Sequence, residues 1–526
     1  MRRALAVALI LIVGCAAILL MLSRHAPPPE RGSLLRVRLN ADIASSDPAM
    51  KRDANTDAVT LHVVEGLVAA REDGTVGPML ARSWTISPDG RTYRFLLRRG
   101  VRFHNGARLT SADVVWSFRR YLARGSQWRC KADLSAGGIA PVRSVAAAGP
   151  QVVVITIAHA APLFLTELAR TDCAEAGILQ RASIGPGGKW RYPIGTGPFR
   201  WGSWRHNQYV ELLAYRGYRS LPGPRDGNTG GKRALVDRVR FVVIPDSSSA
   251  VAALQRGSLD LLDELPANQL SELKGAPGLK FSSAPSLDSY CILLQVRDPV
   301  LADVRLRRAL ALSLDVAALT RVTMHSTATP DSSPIPAASP YFGPAERPLI
   351  RRDLAEARML VKAVGYHGQP IRLITSRIYP GMFEDAILIQ AMAREAGINI
   401  EIETLDWATE LARYNRGNYQ AMVFAFSARL DPSLMLGVLI GDKAKAPSRV
   451  WDSAAAEALL HQSIVTADPR ARQAIFDRIE RLFRQDVPAI ILYNTRRVTA
   501  MRDAVHGYRN WPAQTLRLWN VSVDRR

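Results

Sequence analysis

The strongest constraint on the fold is an alternation of apolar strands and amphipathic helices in the second half of the chain. The pattern predicts strand, helix, strand, helix and strand in succession, at Ile371–Thr375, Met382–Glu395, Ile398–Leu405, Trp407–Tyr414 and Met422–Phe426. Strands joined by helical crossovers pair in parallel, with right-handed connections. Ligands of such sheets bind beyond the carboxyl ends of the strands. The segment that follows Phe426 is therefore a candidate site.

The rest of the chain also alternates short strands with helices, which indicates an α/β protein. Thr110 and Asp113 form a capping-box pattern that predicts the start of a helix. Further helices are expected at Val304–Leu314 and Asp353–Val364. Strands are expected at Tyr93–Leu97, Val152–Ile157 and Val239–Ile244.

The N-terminus has the pattern of an export segment. Arg2 and Arg3 precede an unbroken apolar run from Ala4 to Leu22. Three outcomes are compatible with this run: a cleaved signal peptide, a lipid anchor at Cys15, which follows a lipobox-like Ile-Val-Gly, or an uncleaved membrane anchor. All three place the remaining chain outside the cytoplasm. Residues 1–23 are thus a signal peptide or membrane anchor, and residues 24–34 are a linker.

Three cysteines remain outside this segment. Cys130 and Cys173 flank the strand-like stretch Gln151–Ile157, and an oxidising compartment lets a disulfide persist. We therefore predict that these two cysteines pair. Cys291 begins an apolar run and is expected to be a buried thiol.

The charge and the motifs exclude several classes of protein. The formal net charge is +22, but the arginines are dispersed and no nucleic-acid motif accompanies them, so no nucleic-acid partner is expected. The chain contains no phosphate-binding P-loop, no G-x-S-x-G and no H-E-x-x-H. Its nine histidines are scattered without a metal-ligand spacing. We expect a protein that is not an enzyme and that has no cofactor and no metal site.

An ordered series of blocks resembles the periplasmic dipeptide-, oligopeptide- and nickel-binding proteins of ABC importers. The blocks occur in the family's order from about residue 36 to residue 520. They are Val64–Leu67, Pro78–Trp84, Ser87–Gly90, Leu97–Gly106, Leu109–Val114, Pro193–Phe199, Ala253–Asp260 and Val304–Leu310.

The resemblance implies a two-lobe periplasmic binding protein fold of the α/β class, with a hinge and an extra subdomain inserted in the first lobe. The chain would cross between the lobes near Ser286–Leu294 and near Tyr493–Arg497. The implied ranges are 35–283 for lobe I, about 81–190 for the inserted subdomain, 284–496 for lobe II and 497–526 for the C-terminal return to lobe I.

The resemblance also implies a function. Such a protein is a periplasmic monomer that closes over a peptide or peptide-like solute and delivers it to an ABC permease in the inner membrane. A sensor protein that reports its ligand to a membrane receptor is the alternative. An extracytoplasmic hydrolase would need a nucleophile and a base in the cleft, and the sequence offers no such pair.

The resemblance also implies which residues after Phe426 would contact the ligand. Many peptide-binding members hold the ligand's amino terminus with an Asp three residues before an Asp-Pro, but this chain has Ala428 there. The segment Ser427–Pro432 is closer to the S-G-R-x-D-P pattern of glutathione-binding-like members. A planar guanidinium at Arg429 favours an anionic ligand group, and an ion pair between the lobes or on the surface is the alternative. Asp431 would contact ligand, pair with Arg429 or cap the next helix.

Other candidates come from their place in the chain. Trp407 follows a strand at the same sheet edge, where it would stack on ligand, wedge the hinge or pack in the core. Asn55 lies where the family often lines the cleft, and Tyr290 and Tyr493 lie at the expected crossings. The candidate ligand-binding residues are Arg429, Trp407, Phe426, Ser427, Asp431, Asn55, Tyr290 and Tyr493.

Overall fold

The fold is seen in a computed structural model that describes residues 32–524 except 51–52, 326, 378 and 380. The strands are β1 (Leu34–Leu39), β2 (Val68–Ala70), β3 (Val76–Pro78), β4 (Ala81–Ile86), β5 (Thr92–Leu97), β6 (Val142–Ala147), β7 (Val152–Ile157), β8 (Phe199–Arg205), β9 (Tyr209–Ala214), β10 (Arg225–Asp226), β11 (Thr229–Gly230), β12 (Arg238–Val243), β13 (Leu261–Leu262), β14 (Leu279–Pro285), β15 (Ser289–Leu294), β16 (Ala328–Pro330), β17 (Ile371–Thr375), β18 (Ile400–Thr404), β19 (Ala421–Phe426), β20 (Ala489–Arg502), β21 (Val505–His506) and β22 (Ser522–Val523).

The α-helices are α1 (Ala54–Thr60), α2 (Ser111–Leu122), α3 (Phe164–Leu168), α4 (Ser247–Gln255), α5 (Ala267–Leu273), α6 (Val304–Ser313), α7 (Val316–Thr323), α8 (Leu354–Ala363), α9 (Met382–Glu395), α10 (Trp407–Arg416), α11 (Pro432–Leu439), α12 (Ala454–Val465) and α13 (Pro469–Asp486). The strands and helices predicted from the sequence are confirmed, with ends that shift by at most two residues. Shifts of this size are normal, because helix and strand ends fray.

The predicted parallel arrangement is confirmed in the second half of the chain. β17 pairs in parallel with both β18 and β19, and α9 and α10 form the crossovers. The central sheet continues through antiparallel β15 and β20 to strands from the first half of the chain, in the order β18-β17-β19-β15-β20-β13-β1-β12-β9-β8. The structure is thus a mixed α/β fold organised around one long sheet.

The central sheet has two parts, which we call lobe I and lobe II after the predicted two-lobe fold. Lobe I contributes β1, β8, β9 and β12–β14, and lobe II contributes β15–β19. A separate four-stranded antiparallel sheet, β4-β5-β7-β6, lies within the range predicted for the inserted subdomain. Its core surrounds Phe95, Phe118 and Ile155. In lobe II, alternate residues of β15 enter two separate apolar cores, because Ile292 faces one side of the sheet and Leu293 the other.

β20 is the strand that joins the lobes. Residues Ala489–Tyr493 of β20 pair with β15, and Arg496–Arg502 pair with β14. β14 and β15 are themselves consecutive in the chain and are separated by Ser286–Asp288. Two chain segments therefore run side by side between the lobes, and β20 is hydrogen-bonded to strands in both.

The cysteines occupy buried positions. Cys130 and Cys173, the pair predicted from the sequence, are disulfide-bonded, with 5.9 Å between their Cα atoms. Cys291 is a free, buried thiol, and burial raises its pKa well above the ordinary value. The disulfide connects the region after α2 to the segment that precedes β8, and so closes a loop within the extra subdomain.

The N-terminal predictions lie outside the described residues. These are the signal peptide or anchor at 1–23, the lipidation site at Cys15, and all but the last residues of the 24–34 linker. The first described strand begins at Leu34. Within residues 32–524, apart from the gaps stated above, no helix has the length and apolarity needed to cross a membrane.

The contribution of the disulfide can be measured directly. The double substitution Cys130→Ala and Cys173→Ala should lower the free energy of unfolding by about 2–5 kcal/mol, because the unfolded chain regains the entropy that the closed loop removes. Urea denaturation followed by circular dichroism measures the change. The wild-type chain in excess reductant should show the same curve as the variant, and a variant as stable as the oxidised wild type would contradict the prediction.

Candidate functional site

The carboxyl ends of three parallel strands meet at one edge of lobe II. Ser376 and Tyr379 follow β17, Trp407 and Glu410 follow β18, and Arg429 follows β19. α9 runs from β17 outward to β18, and α10 then runs from β18 back past β17 to β19, so the direction of the crossovers reverses at β17. Such a reversal opens a crevice beyond the strand ends, which is where ligands of open α/β sheets bind.

Arg429 lies where this edge meets lobe I. Its Nη1 donates to Ser427 Oγ at 2.7 Å and to the main-chain oxygens of Ser427 and Ala428 at 3.2 Å. Burial lowers the pKa of Arg429, the charge of Asp172 opposes that change, and the charge of Arg170 adds to it. The guanidinium thus lies within electrostatic range of an ion cluster of the other lobe, and the described residues include no ion pair between Arg429 and that cluster.

The lobes touch beside Arg429. Leu430 packs on a small apolar group from lobe I and its C-terminal segment. The space that remains is only about 20 Å³, which is enough for about one water. This side of the cleft is therefore closed in the structure. The lining residues are Arg170, Thr171, Asp172, Ala428, Arg429, Leu430, Leu434 and Ala513.

Arg170 organises the lobe I side of this contact. It donates to both carboxylate oxygens of Asp172 at 3.0 Å, to Asp133 at 2.7 Å and to Glu167 at 2.8 Å. Burial raises the pKa of Glu167 to about 7. For Asp172, burial acts in the same direction, but the charge and hydrogen bonds of Arg170 and the charges of Arg429 and Arg129 together outweigh it and lower the pKa. Asp133 and Glu167 lie within metal-ligand spacing of Cys130. The disulfide occupies that sulfur and Arg170 pairs with both acids, so the cluster is an ion-pair network.

Asp431 is a buried structural residue. Its Oδ1 accepts from the Ser433 backbone N–H at 2.9 Å and so caps α11. Both oxygens also accept from Arg472, at 2.7 and 2.9 Å. Of the roles considered for Asp431, the structure shows helix capping, and its ion-pair partner is Arg472 in place of Arg429.

The aromatic residues of this edge form a continuous layer. The ring of Trp407 stacks on Phe424, with 5.6 Å between centroids, and meets Tyr379 edge-on at 5.0 Å. Phe426 is buried against Phe424 and Tyr414. Trp407 is half-buried, so one part of it packs on the core and another part is accessible at this edge of the sheet. Ser427 is exposed.

Tyr290 and Tyr493 lie next to each other where the chain passes between lobes. Their rings stack with 4.8 Å between centroids, and both are buried. The Tyr493 hydroxyl donates to Asp385 Oδ2 at 2.7 Å, and burial raises the pKa of Asp385 to about 7. Asn55 lies apart from this group, in lobe I, where its amide donates to Asn40 Oδ1 at 2.8 Å and to the Ala41 carbonyl at 3.0 Å.

A buried carboxylate links the two segments between the lobes. Asp288 accepts hydrogen bonds from the Thr495 N–H, at 2.8 Å, and from the Thr495 hydroxyl. The Asn494 amide donates to the Asp288 carbonyl at 2.9 Å. Burial raises the pKa of Asp288, and the bonds from Thr495 partly offset this effect. These contacts hold the chain after β14 against β20 at the point where both pass between lobes.

Sequence reasoning missed Glu410. It is buried on the first turn of α10, one helical turn after Trp407, and burial raises its pKa to about 7. Neither of its carboxylate oxygens, nor the hydroxyl of Ser376 at the end of β17, has a hydrogen-bond partner within the described part of the chain. A signal for Glu410 was present in the sequence. Glu410 lies three residues after the candidate Trp407, on the same face of the helix that directly follows a predicted parallel strand.

Comparison with known proteins settles the family. Residues 75–445 match the model of the bacterial extracellular solute-binding proteins, family 5. The chain belongs to this family. It is 24% identical over 500 residues to the probable deoxycholate-binding periplasmic protein of Escherichia coli, with 90% of each chain covered. It is 24% identical over 499 residues to heme-binding protein A of Haemophilus influenzae, covering 89% of this chain and 88% of the relative.

A solved structure supports the fold. An ABC transporter-associated periplasmic binding protein of Helicobacter pylori, in complex with the peptide STSA, superposes with a TM-score of 0.77 at 24% identity, covering 94% of this chain and 98% of the other. The family-5 solute-binding protein is thus the solute-binding component of an ABC importer, built on the two-lobe periplasmic binding protein fold. Neither the family match nor the relatives support the sensor alternative.

The buried pair of Asp431 and Arg472 offers a stability test. Asp431→Ala should lower the free energy of unfolding by about 3–5 kcal/mol, because it leaves the Arg472 guanidinium buried without its partner. Urea denaturation measures the loss. Arg470 is exposed and lies on α13, the helix that carries Arg472. Arg470→Ala should therefore alter the free energy of unfolding by less than about 0.5 kcal/mol. Equal stability of the two variants would contradict a structural role for Asp431.

Proposed function

We propose that this chain captures a peptide-like solute between its lobes by hinge closure and delivers it to an inner-membrane ABC permease. The observation that carries the proposal is the crevice at the carboxyl edge of β17, β18 and β19, whose side chains face lobe I across two closely spaced connecting segments. A solute that contacts both lobes favours the closed arrangement by its differential affinity for that arrangement.

The proposed lobe boundaries follow the strand pairing. We place lobe I at 35–283 with the return at 497–526, the inserted subdomain at about 81–190, and lobe II at 284–496. The independent β4-β5-β7-β6 sheet supports the subdomain. The change of partner along β20 at Tyr493–Arg496 and the break between β14 and β15 support the two lobe boundaries.

The ligand proposed for the Arg429 side of the cleft carries an anionic group. Ala428 replaces the acid that holds peptide amino termini in many family members, and Arg429 is the charged group next to it. Nη1 of Arg429 bonds to its own loop, and the side chain lines the narrow space between the lobes. That space holds about one water in this structure, so a bound carboxylate would enter with the lobes apart and would keep them slightly further apart here than they are without ligand. Ser427, Phe426, Trp407, Tyr290, Tyr493 and Asn55 remain proposed contacts of the cleft.

The protein is proposed to be a non-catalytic binding protein of the periplasm. It binds solute without transforming it, in keeping with relatives that are named as binding proteins. It acts as a periplasmic monomer, in keeping with relatives named as periplasmic. The N-terminal segment would keep it at the membrane if that segment is retained or lipidated.

Two measurements on the purified full chain test the proposed function. Mass spectrometry of solutes released on denaturation identifies the natural ligand, and small-angle scattering compares the chain with and without it. We expect a peptide-like molecule and a smaller radius of gyration when it is bound. Turnover of the solute, or an unchanged radius across saturation, would reject the proposal.

The Arg429 contact has its own test. Arg429→Ala should weaken binding of an anionic peptide such as glutathione by about 2–5 kcal/mol if the contact is buried in the closed complex. Isothermal titration calorimetry measures the change, with the exposed Arg481→Ala as the matched control. An affinity equal to that of the control would reject Arg429 as a ligand contact and leave it as an inter-lobe residue.

A further inference from the structure

We propose that Glu410 binds a cationic group of the transported solute, beside the rings of Trp407 and Tyr379. This inference rests on the proposed solute-binding function and names a chemical class for one part of the ligand. It concerns a different residue and a different strand end from the Arg429 contact.

The absence of a partner for Glu410 is unusual among the buried acids of this chain. Glu65 accepts from Thr196 and Tyr218, and Glu480 accepts from Ser333 and Arg484. Glu410 is equally buried, yet neither oxygen has a partner within the described residues. A buried carboxylate without partners costs several kcal/mol. Buried polar groups are almost always satisfied, so such an exception calls for a missing partner.

The place of Glu410 identifies that partner as a ligand. Glu410 lies on the first turn of α10, beyond β18, and Ser376 lies beyond the neighbouring β17. The Ser376 hydroxyl is close enough to act on Glu410 as a weak hydrogen-bond donor and lower its pKa, but the contact falls short of full hydrogen-bond geometry. Two neighbouring strand ends thus bring incompletely satisfied polar groups together at this edge of lobe II, where a solute would supply the missing bonds.

Tyr379 shows that this part of the crevice faces lobe I. Burial raises the pKa of the Tyr379 hydroxyl, and the charges of Glu264 and Glu410 raise it further. Glu264 belongs to lobe I, so the Tyr379 hydroxyl lies within electrostatic range of an acid from each lobe. Glu264 and its neighbour Asp263 both pair with Arg497. Arg38 lies close enough to interact with both acids, so the lobe I side of this region is balanced in charge and Glu410 is the acid without a cation.

The chain supplies no cation to this acid from its described part. Arg377, which follows Ser376 directly, holds its guanidinium 3.4 Å from the centroid of the Phe383 ring and forms no ion pair with Glu410. Two aromatic side chains lie near this acid: Trp407 is one turn away on the same helix, and Tyr379 meets the Trp407 ring edge-on. Carboxylate and aromatic faces together recognise ammonium and guanidinium groups. An anionic group would be repelled by the Glu410 carboxylate.

A matched pair of probes tests the inference on the full chain after removal of any bound solute. The tripeptides acetyl-Ala-Arg-Ala and acetyl-Ala-citrulline-Ala have nearly the same size and shape. Their amino termini are blocked, so the arginine side chain is the only cationic group by which they differ. Wild-type chain should bind the arginine peptide more tightly, on the order of 30-fold. Glu410→Gln should bind both with the affinity that wild type shows for the citrulline peptide. Glu401→Gln, an exposed change on β18, should leave the wild-type preference intact. Titration calorimetry measures each affinity.

The outcomes separate the two proposals. If Glu410→Gln keeps its affinity for the citrulline peptide, the variant is folded. Its weaker binding of the arginine peptide is then due to the lost carboxylate charge. Equal binding of both peptides by the wild-type chain would overturn the role of Glu410 and leave the proposed function in place, without depending on any variant. If wild type binds neither peptide and no solute is released from the purified chain, the proposed peptide-like function fails, and the Glu410 assignment fails with it.

Discussion

The structure depends on one strand that is shared by two bodies. β20, at Ala489–Arg502, bonds to lobe II through β15 and to lobe I through β13 and β14. Strand pairing is stiff along its length, so relative motion of the lobes is confined to the short segments around Ser286–Asp288 and Tyr493–Arg496. The bonds from Thr495 and Asn494 to Asp288 keep these segments together. A hinge of this kind permits rotation of the lobes while their internal sheets stay intact.

The local sequence pattern was enough to predict the strands and helices of lobe II. It was not enough to predict which distant side chains would pair with each other. The succession from Ile371 to Phe426 alternates apolar periodicity with helix starts and stops, so the parallel strands and the candidate edge followed from the sequence. By contrast, Arg472, the partner of Asp431, lies 41 residues away, and no local signal selects it over Arg429. Glu410 was missed for a related reason, because a helical Glu is usually solvated and its burial depends on how α10 packs against β18 and β19.

The candidate residues fall into distinct physical groups. Phe426 and Asp431 are parts of the core, and Tyr290 and Tyr493 stack at the crossing between lobes. Arg429 follows β19 and Glu410 follows β18, so these two strand ends carry groups of opposite charge type. The crevice therefore has a cationic side at Arg429 and an acidic side at Glu410. A solute held there would be oriented as well as retained, because turning it around would place like charges together.

The late position of β20 in the chain has a consequence for biosynthesis. β1 and β13 are made early, but β20, which connects them to lobe II, begins at residue 489 of 526. Neither lobe can complete its part of the central sheet until almost the entire polypeptide has been synthesised. Pairings between distant segments form slowly. The nascent chain therefore stays incompletely folded for most of its synthesis, which is the condition in which a polypeptide can be threaded across a membrane.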